Sequence, residues 1–295
     1  LIAVFEQQIA ELATSGGAEM DVIKRNNVQQ LLHPNPHAPV LIYAHGFGCN
    51  QDMWKLLTPA FSSSHRQILF DYVGSGNSDA RAFDPDRYSS LQGYAQDLIE
   101  VCDALSLSNN VTFVGHSVSC SIGILASIQR PRLFSQMILV GPSPCFLNDP
   151  PSYFGGFERA DLEALLGLMD QNYIGWAQNF APLVAGTDAE QPLSSQLSGS
   201  FCSTDPVMAR LFAQATFFSD VRENLEQCTT PSLILQHHRD ALVPLSVGEY
   251  LKVHLKDSTL EIMDVAGHCA HMSHPQLVAA AVHQYLSRSD SFVLP

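Results

Sequence analysis

Three side chains in this sequence could together cleave an acyl bond, because a nucleophile, an acid and a base each follow an apolar run. The candidate nucleophile is Ser117, which lies between Gly115 and Ser119 in a turn that joins a β-type run to a helix of small residues. The neighbours must be small at such a nucleophile elbow, since the turn is strained and a bulky side chain would clash. The usual pattern is G-x-S-x-G and Ser119 departs from it, so this turn alone is equally compatible with an ordinary buried serine.

The candidate acid and base follow two later apolar runs. Asp240 comes after the run of residues 232–236, and His268 comes after the run of residues 259–263, where Gly267 frees the loop. A serine nucleophile needs a base within hydrogen-bonding reach and an acid that orients that base. The chain order Ser117, Asp240, His268 is that of the α/β-hydrolases and differs from the order in chymotrypsin or subtilisin. We therefore predict these three as catalytic residues.

Other assignments of the same residues stay open at this point. Asp220 could replace Asp240 as the acid, although it follows no predicted strand. The run HCAHMSH at residues 268–274 could be taken for a metal site, but its spacing fits neither a zinc finger nor H-E-x-x-H. We predict no metal and no cofactor, with His271 and His274 as surface or helix-capping residues.

An acyl-transfer site also needs two backbone N–H donors that point at the developing oxyanion. Val118, the residue after the candidate nucleophile, would supply one of them. The loop HGFG at residues 45–48 follows the apolar run of residues 40–44 and would supply the second, most simply from Phe47. The Phe47 side chain would then lie at the mouth of the pocket, and His45 would support the loop instead of acting as the base.

The elements around these residues predict an α/β fold. Apolar runs typical of buried parallel strands alternate with helical patterns of ordinary length, which implies a mostly parallel sheet covered on both faces. The predicted strands include residues 40–44, 67–70, 137–140, 232–236 and 259–263, together with the strand that leads into Ser117. The loops at the carboxyl ends of such strands are where open α/β sheets place their ligand sites.

The sheet pattern is interrupted by a helical insertion at residues 149–222. Four helical patterns fall at residues 161–169, 173–180, 194–201 and 206–218, and aromatic residues are frequent among them. A small helical lid cannot bury that many rings internally, so some should face the sheet domain and line a cavity. We therefore predict an α/β-hydrolase core at residues 20–148 and 223–295, with a four-helix lid at 149–222.

The first residues are predicted to form a separate amphipathic helix. Ile2, Phe5, Ile9 and Leu12 recur at helical spacing, and a Ser-Gly-Gly linker follows them. We interpret residues 1–19 as an appended helix and linker that could bind a partner. The alternative is a helix that packs on the surface of the chain itself.

Composition narrows the class of partner. The 295 residues carry a net charge of −14, which argues against nucleic acid or an anionic membrane as the main partner.

The seven cysteines are scattered and include no C-x-x-C pair, which favours reduced thiols in the cytoplasm over a disulfide framework. No apolar run approaches the roughly 20 residues that a membrane-spanning helix needs. We expect a cytoplasmic protein.

Several motifs together resemble one known branch of hydrolases. The motifs are HGFG, FDYVGSG, GHSVS, GPSPCFLNDPP, GGFE, FCSTDP and GHCAHMSHP. They resemble the RsbQ-type α/β-hydrolases, bacterial stress-response regulators that are related to the plant karrikin and strigolactone receptors. The resemblance covers Met20 to about Leu286, and GHSVS with SPCFLNDPP is specific to this branch. Residues 1–19 fall outside it.

The resemblance implies a Ser-His-Asp triad and a closed hydrophobic pocket for a small apolar molecule. It also implies a protein partner, a PAS-domain serine phosphatase, through which a general stress sigma factor is switched on under energy stress. Carried over by position, the pocket lining would consist of aromatic residues: Phe47, Phe146, Phe157, Trp176, Phe180, Phe201 and Phe218.

Two main functional hypotheses follow. The first is a serine hydrolase for a small hydrophobic ester, and the second is a signalling module whose pocket and lid report a ligand to the phosphatase. A generic carboxylesterase, haloperoxidase or C–C-bond hydrolase is the weaker alternative, since many chemistries share the fold and the triad.

Overall fold

The computed structural model describes residues 21–290, so the predicted helix and linker at residues 1–19 lie outside the described residues. Seven strands form one sheet in the order β1-β3-β2-β4-β5-β6-β7. All neighbours in this sheet are parallel except the edge strand β1, which runs antiparallel to β3. The strands are β1 Gln29–Leu31, β2 Val40–Ala44, β3 Arg66–Leu69, β4 Val111–His116, β5 Gln136–Val140, β6 Ser232–Arg239 and β7 Ser258–Ala266.

One short α-helix precedes the first strand, and the other helices fall between and after the strands. The core helices are α1 Val22–Arg25, α2 Leu91–Ala104, α3 Val118–Gln129, α8 Leu245–His254, α9 Ala270–Ser273 and α10 Pro275–Asp290. The four helices between β5 and β6 are α4 Arg159–Gln171, α5 Tyr173–Ala185, α6 Pro192–Cys202 and α7 Pro206–Phe217. Short 3₁₀ turns occupy Gln51–Trp54, Thr58–Phe61, Ala80–Ala82, Arg87–Ser89 and Arg222–Gln227. We call α4 to α7 the lid.

The central strands consist of apolar residues because both of their faces are covered. Every residue of β2 and β4 is buried, including the β-branched and aliphatic side chains on alternating faces. The two strands are paired in parallel register, with Ala44 opposite Gly115. Their carboxyl ends therefore reach the same edge of the sheet, where the HGFG loop and the Ser117 turn follow them.

The predicted fold class is confirmed: the chain has a mostly parallel seven-stranded sheet with helices inserted after β5. Each helical pattern of the insertion overlaps one observed lid helix. The strand that precedes Asp240 is longer than its apolar run suggests, because it continues to Arg239 through a register irregularity near His237. In the described part of the chain, no helix is both long enough and apolar enough to span a membrane.

Candidate active site

The turn after β4 holds Ser117 in a strained backbone conformation. Its φ of 55° and ψ of −122° lie outside the regions that residues with a side chain normally adopt. The Ser117 amide donates to the carbonyl oxygen of Val140 on β5 at 2.9 Å, and α3 begins at the next residue. Such strain at a strand-to-helix turn is the geometry that exposes a nucleophile at the edge of a sheet.

The three predicted catalytic residues form one continuous chain of hydrogen bonds. His268 Nε2 lies 2.7 Å from Ser117 Oγ, and His268 Nδ1 lies 2.6 Å from Asp240 Oδ2. A carboxylate that accepts from Nδ1 keeps the proton on that nitrogen, so Nε2 is free to accept the proton of the serine hydroxyl. The arrangement can therefore activate Ser117 as a nucleophile.

Asp240 is held as a charged acceptor. Its Oδ1 accepts the backbone N–H groups of Leu242 at 2.8 Å and Val243 at 3.2 Å, which leaves Oδ2 for His268. Burial alone would raise the pKa of Asp240, but the hydrogen bond from His268 and the charge interactions with His268 and His237 outweigh burial and hold that pKa well below its usual range. Its environment therefore favours the ionised carboxylate, which can accept the hydrogen bond from His268 Nδ1.

A second imidazole lies beside this carboxylate. His237 is fully buried at the end of the apolar part of β6, and its Nδ1 is 3.5 Å from Asp240 Oδ2. Among the described residues its two ring nitrogens have no partner within ordinary hydrogen-bond geometry. The sequence offered a signal for this residue, because it directly follows a buried apolar run.

Asp220, the alternative acid, is placed elsewhere. It pairs with Arg222, whose guanidinium donates to both of its carboxylate oxygens. His237, Asp240 and His268 are the group of potential metal ligands that come together in residues 21–290. The direct 2.6 Å hydrogen bond between Asp240 and His268 would have to be broken for an ion to bind there.

Ser119 connects the Ser117 turn to the HGFG loop. Its hydroxyl donates to the backbone carbonyl of His45 and lies 3.1 Å from the Tyr72 hydroxyl. A glycine at this position would have no group with which to make this link. The departure from G-x-S-x-G therefore has a structural consequence that the pattern alone did not indicate.

His45 supports the loop. Its Nε2 accepts the Tyr72 amide at 3.1 Å, which requires a proton on Nδ1, and Nδ1 donates to the carbonyl oxygen of Gly46 at 2.9 Å. Burial lowers the pKa of His45, in keeping with this neutral tautomer. Gly46 itself lies against the Ser117 turn, since a Cβ there would come within 2.4 Å of His116 Nδ1.

The predicted oxyanion donors are the backbone amides of Phe47 and Val118. Within residues 21–290 neither N–H donates to a protein acceptor, and both residues lie beside Ser117, Phe47 in the loop after β2 and Val118 at the first position of α3. Phe47 and Ser117 also line one cavity together. Two free amides on either side of a nucleophile could stabilise a negatively charged oxygen.

The loop that carries His268 is in direct contact with the lid. The His268 amide donates to the carbonyl oxygen of Val184 at 2.8 Å, near the end of α5. Gly267 has a φ of +86°, and a Cβ there would lie 2.1 Å from the carbonyl oxygen of Ala185. Glycine is therefore needed at 267 for the close approach of the lid as well as for the turn.

The cavity next to Ser117 is small and mostly aromatic. Its volume is about 20 Å³, which is room for roughly one water molecule. It is lined by Phe47, Cys49, His116, Ser117, Phe146, Phe180, Val184, Phe201, Thr216, Phe217, Leu242 and Cys269. Four of the seven predicted pocket residues are among these: Phe47, Phe146, Phe180 and Phe201.

The other three predicted pocket residues lie outside the lining. Trp176 packs behind it, with its ring stacked on Phe180 at a centroid distance of 5.2 Å. Phe157 is half-buried, and its amide donates to the carbonyl of Phe146. Phe218 follows the end of α7 and packs against the Arg159 guanidinium, while its neighbour Phe217 lines the cavity. The lining therefore takes Thr216 and Phe217 from the end of α7, whereas Phe218, one residue beyond the helix, lies outside it.

The prediction that His271 is a surface or capping residue is wrong. His271 is fully buried, with its ring 4.4 Å from Trp54 and 4.5 Å from His116 between centroids. His271 lies in the short helix α9, three residues after the candidate base His268, and other core residues cover its side chain. His274, in contrast, is exposed at the end of α9.

These buried histidines make the stability of the fold depend on pH. Burial, together with neighbouring imidazoles, lowers the pKa of His116 and His271 well below the ordinary value. Both are therefore neutral in the folded protein, whereas in the unfolded chain they take up a proton below about pH 6.5. Because the unfolded state then binds more protons, the free energy of unfolding falls as the pH drops below 6.5.

We expect the variant His271→Gln to lose part of this dependence. Between pH 6.5 and 5.5, the fall in the free energy of unfolding should be smaller than in the wild type by about 1 kcal/mol, the contribution of one such group. Urea titrations at the two pH values measure the difference. Equal falls in the two proteins would contradict the neutral, buried state of His271.

Comparison with known proteins identifies the class. Residues 41–281 match the model of the alpha/beta hydrolase family, and the chain belongs to that family.

Its relatives include hydrolases, and some of them are named as receptors. The chain is 41% identical to a probable esterase of Oryza sativa subsp. japonica over 84% of this chain and 91% of the relative. It is 38% identical to the karrikin insensitive 2 receptor CA of Petunia hybrida over 83% of this chain and 91% of the relative. A solved hydrolase from Oleispira antarctica superposes with a TM-score of 0.86 at 46% identity, covering 90% of this chain and 96% of that one.

Proposed function

We propose that this protein is a serine hydrolase that cleaves an ester or related acyl bond in a small hydrophobic compound. The observation that carries the proposal is the hydrogen-bond chain from Ser117 through His268 to Asp240 beside an aromatic cavity. The relatives support it, because one is named a probable esterase and a solved neighbour is named a hydrolase.

In the first half-reaction, Ser117 Oγ attacks the carbonyl carbon of the ester while His268 Nε2 takes the hydroxyl proton. The oxyanion that forms accepts hydrogen bonds from the Phe47 and Val118 amides. Its collapse breaks the bond to the alcohol oxygen, and His268 gives its proton to the leaving alcohol. The acyl group is then bound to Ser117 as an ester. Asp240 stabilises the imidazolium that exists between these two proton transfers.

In the second half-reaction, a water molecule takes the place of the alcohol. His268 accepts one of its protons as the hydroxide oxygen attacks the acyl carbonyl, and the same two amides hold the oxyanion. Collapse releases the carboxylic acid, and His268 returns the proton to Ser117 Oγ. The net reaction consumes one ester and one water and yields one acid and one alcohol.

The cavity indicates an uncharged substrate. Five of its twelve lining residues are phenylalanines, and no lysine, arginine, aspartate or glutamate occurs among the described residues that line it. Binding free energy would come mostly from burial of apolar surface, roughly 25 cal/mol per Å². Since the cavity has a volume of only about 20 Å³, an ester has to displace side chains of the lining as it binds.

The hydrolase proposal is tested with p-nitrophenyl esters of increasing acyl length. We expect release of p-nitrophenol well above the buffer rate for short chains, with a burst where deacylation is slower than acylation. A rate equal to that of buffer for every chain length would contradict the proposal.

The neighbouring residues Phe217 and Phe218 provide a matched pair for testing the cavity. Phe217→Ala removes a ring from the lining, so we expect the ratio of kcat/KM for long over short acyl chains to rise by roughly tenfold. Phe218→Ala should leave this ratio unchanged, because that ring packs on Arg159 outside the cavity. Equal effects of the two substitutions would contradict the assigned lining.

We further propose that the hydrolase is an RsbQ-type signalling protein of the cytoplasm, a positive regulator of a general stress response through a PAS-domain serine phosphatase. The name of the petunia relative, a receptor, favours a signalling role. The hydrogen bond from the His268 amide to Val184 of α5 supports it as well, since events at the base and movements of the lid would influence each other. The alternative is a carboxylesterase without a signalling role.

The signalling proposal is tested on the phosphatase. We expect the partner's phosphatase activity to rise when the wild-type protein is added and to rise less with Ser117→Ala. Full stimulation by Ser117→Ala would mean that turnover is not required and the protein acts as a scaffold. No stimulation by the wild type would contradict the proposal and favour the plain carboxylesterase.

A further inference from the structure

Thr216 is the one threonine among the described residues that line the aromatic cavity. It lies in the last turn of α7, one residue before Phe217, and is 1% exposed. Its Oγ1 is buried and, among the described residues, has no hydrogen-bond partner. A buried hydroxyl without a partner destabilises a folded protein, and valine would fill the same shape without that cost.

The hydroxyl of Ser117 and the imidazole nitrogens of His116, which also belong to the lining, are either hydrogen-bonded or covered by protein atoms. Ser117 Oγ is bonded to His268, and His116 Nε2 lies 2.9 Å from the His268 carbonyl oxygen. Gly46 packs directly against His116 Nδ1, because a Cβ atom added to this glycine would lie only 2.4 Å from that nitrogen. The Thr216 hydroxyl is therefore the polar group of this cavity that is best placed to bind a ligand atom other than the scissile ester.

We propose that Thr216 determines specificity by donating a hydrogen bond to a second oxygen acceptor of the substrate. This inference rests on the proposed hydrolase function and narrows its substrate class. The preferred substrate is a compact, uncharged ester that carries an ether or carbonyl oxygen apart from the scissile group. A simple alkyl ester of the same size leaves the Thr216 hydroxyl unpaired and is the poorer substrate.

The test compares esters that differ by one oxygen. The p-nitrophenyl esters of methoxyacetate and 3-methoxypropanoate are paired with those of butanoate and pentanoate, in which a methylene replaces the ether oxygen. For each pair, the ratio of kcat/KM is measured in the wild type, in Thr216→Val and in Thr216→Ser. Intrinsic reactivity cancels when the ratios of two proteins are compared.

For at least one pair, we expect the ratio of kcat/KM for the ether ester over the alkyl ester to be about fivefold to tenfold higher in the wild type than in Thr216→Val. This factor corresponds to the free energy of one neutral hydrogen bond. Thr216→Ser keeps the hydroxyl and should keep most of the preference. Ratios that are the same in wild type and Thr216→Val for both pairs would overturn the proposal.

A binding measurement separates this inference from the hydrolase function. Calorimetry with Ser117→Ala, alone and combined with Thr216→Val, compares affinities for the same four esters without turnover. A fivefold to tenfold loss of affinity for an ether ester on adding Thr216→Val would support the role of Thr216 even if the wild type failed to hydrolyse any ester. Turnover of all four esters with no discrimination in either assay would overturn the role of Thr216 and leave the hydrolase. If none of the esters bound or reacted, both proposals would fall.

Discussion

Ser117→Ala is expected to lower kcat for ester hydrolysis by about 10⁴-fold to 10⁶-fold, as the loss of a nucleophile does in other serine hydrolases. The structural reason is that the oxygen 2.7 Å from His268 Nε2 disappears, and no other hydroxyl is bonded to this imidazole in residues 21–290. The comparison is made with p-nitrophenyl esters at saturating concentration, where the steady-state rate of p-nitrophenol release gives kcat for both proteins.

Ser127→Ala is the matched control for this substitution. It makes the same chemical change at a buried position of α3, the helix that follows Ser117, where the hydroxyl donates to the Ile124 carbonyl at 2.8 Å. We expect its kcat to stay within a few fold of the wild type. If Ser117→Ala retained as much activity as Ser127→Ala, the nucleophile would have to lie elsewhere.

Asp240→Asn is expected to lower kcat by about 10⁴-fold, because the amide favours the wrong tautomer of His268. The amides of Leu242 and Val243 donate to Oδ1, so the asparagine carbonyl oxygen will take that position. The NH₂ group then faces His268 Nδ1 and donates to it. This arrangement places the imidazole proton on Nε2, where it blocks acceptance of the Ser117 proton.

Asp220→Asn distinguishes the two candidate acids. Asp220 binds Arg222 through both carboxylate oxygens, so its replacement should affect stability slightly and kcat by less than a few fold. Steady-state kinetics of the two variants at pH 8 measure the difference. A larger loss in Asp220→Asn than in Asp240→Asn would reverse the assignment of the acid.

The sequence was informative about the core because its signals are local. Continuous apolar runs such as β2 are typical of parallel strands that are buried on both faces, and these runs led to the confirmed fold class. The geometry that joins Ser117, Asp240 and His268 also follows from strand ends, since parallel strands deliver their following loops to one edge of the sheet.

The lining of the cavity was predicted less well because it depends on the rotation of each lid helix. Phe217 and Phe218 are the same residue type, and the orientation of the last turn of α7 relative to the sheet decides which of them lines the cavity. Periodicity places helix ends with an error of a few residues, and one residue rotates a side chain by about 100°.

The polar residues of the core were the hardest to predict. Histidine is more often exposed or partly exposed than fully buried, so nothing local indicated that His271 would pack against Trp54 and His116. The link from Ser119 to the His45 carbonyl joins residues 74 positions apart. Such contacts are set by the approach of two loops in space, which no spacing in the sequence encodes.

Labelling with a fluorophosphonate is the most direct test of the central claim that Ser117 is an activated nucleophile. Such a probe forms a covalent bond with a serine only where a base removes the hydroxyl proton and the oxyanion is stabilised. We predict one adduct per chain, mapped by peptide mass spectrometry to Ser117 and lost in Ser117→Ala but not in Ser127→Ala. An adduct on another residue, or undiminished labelling of Ser117→Ala, would contradict the account.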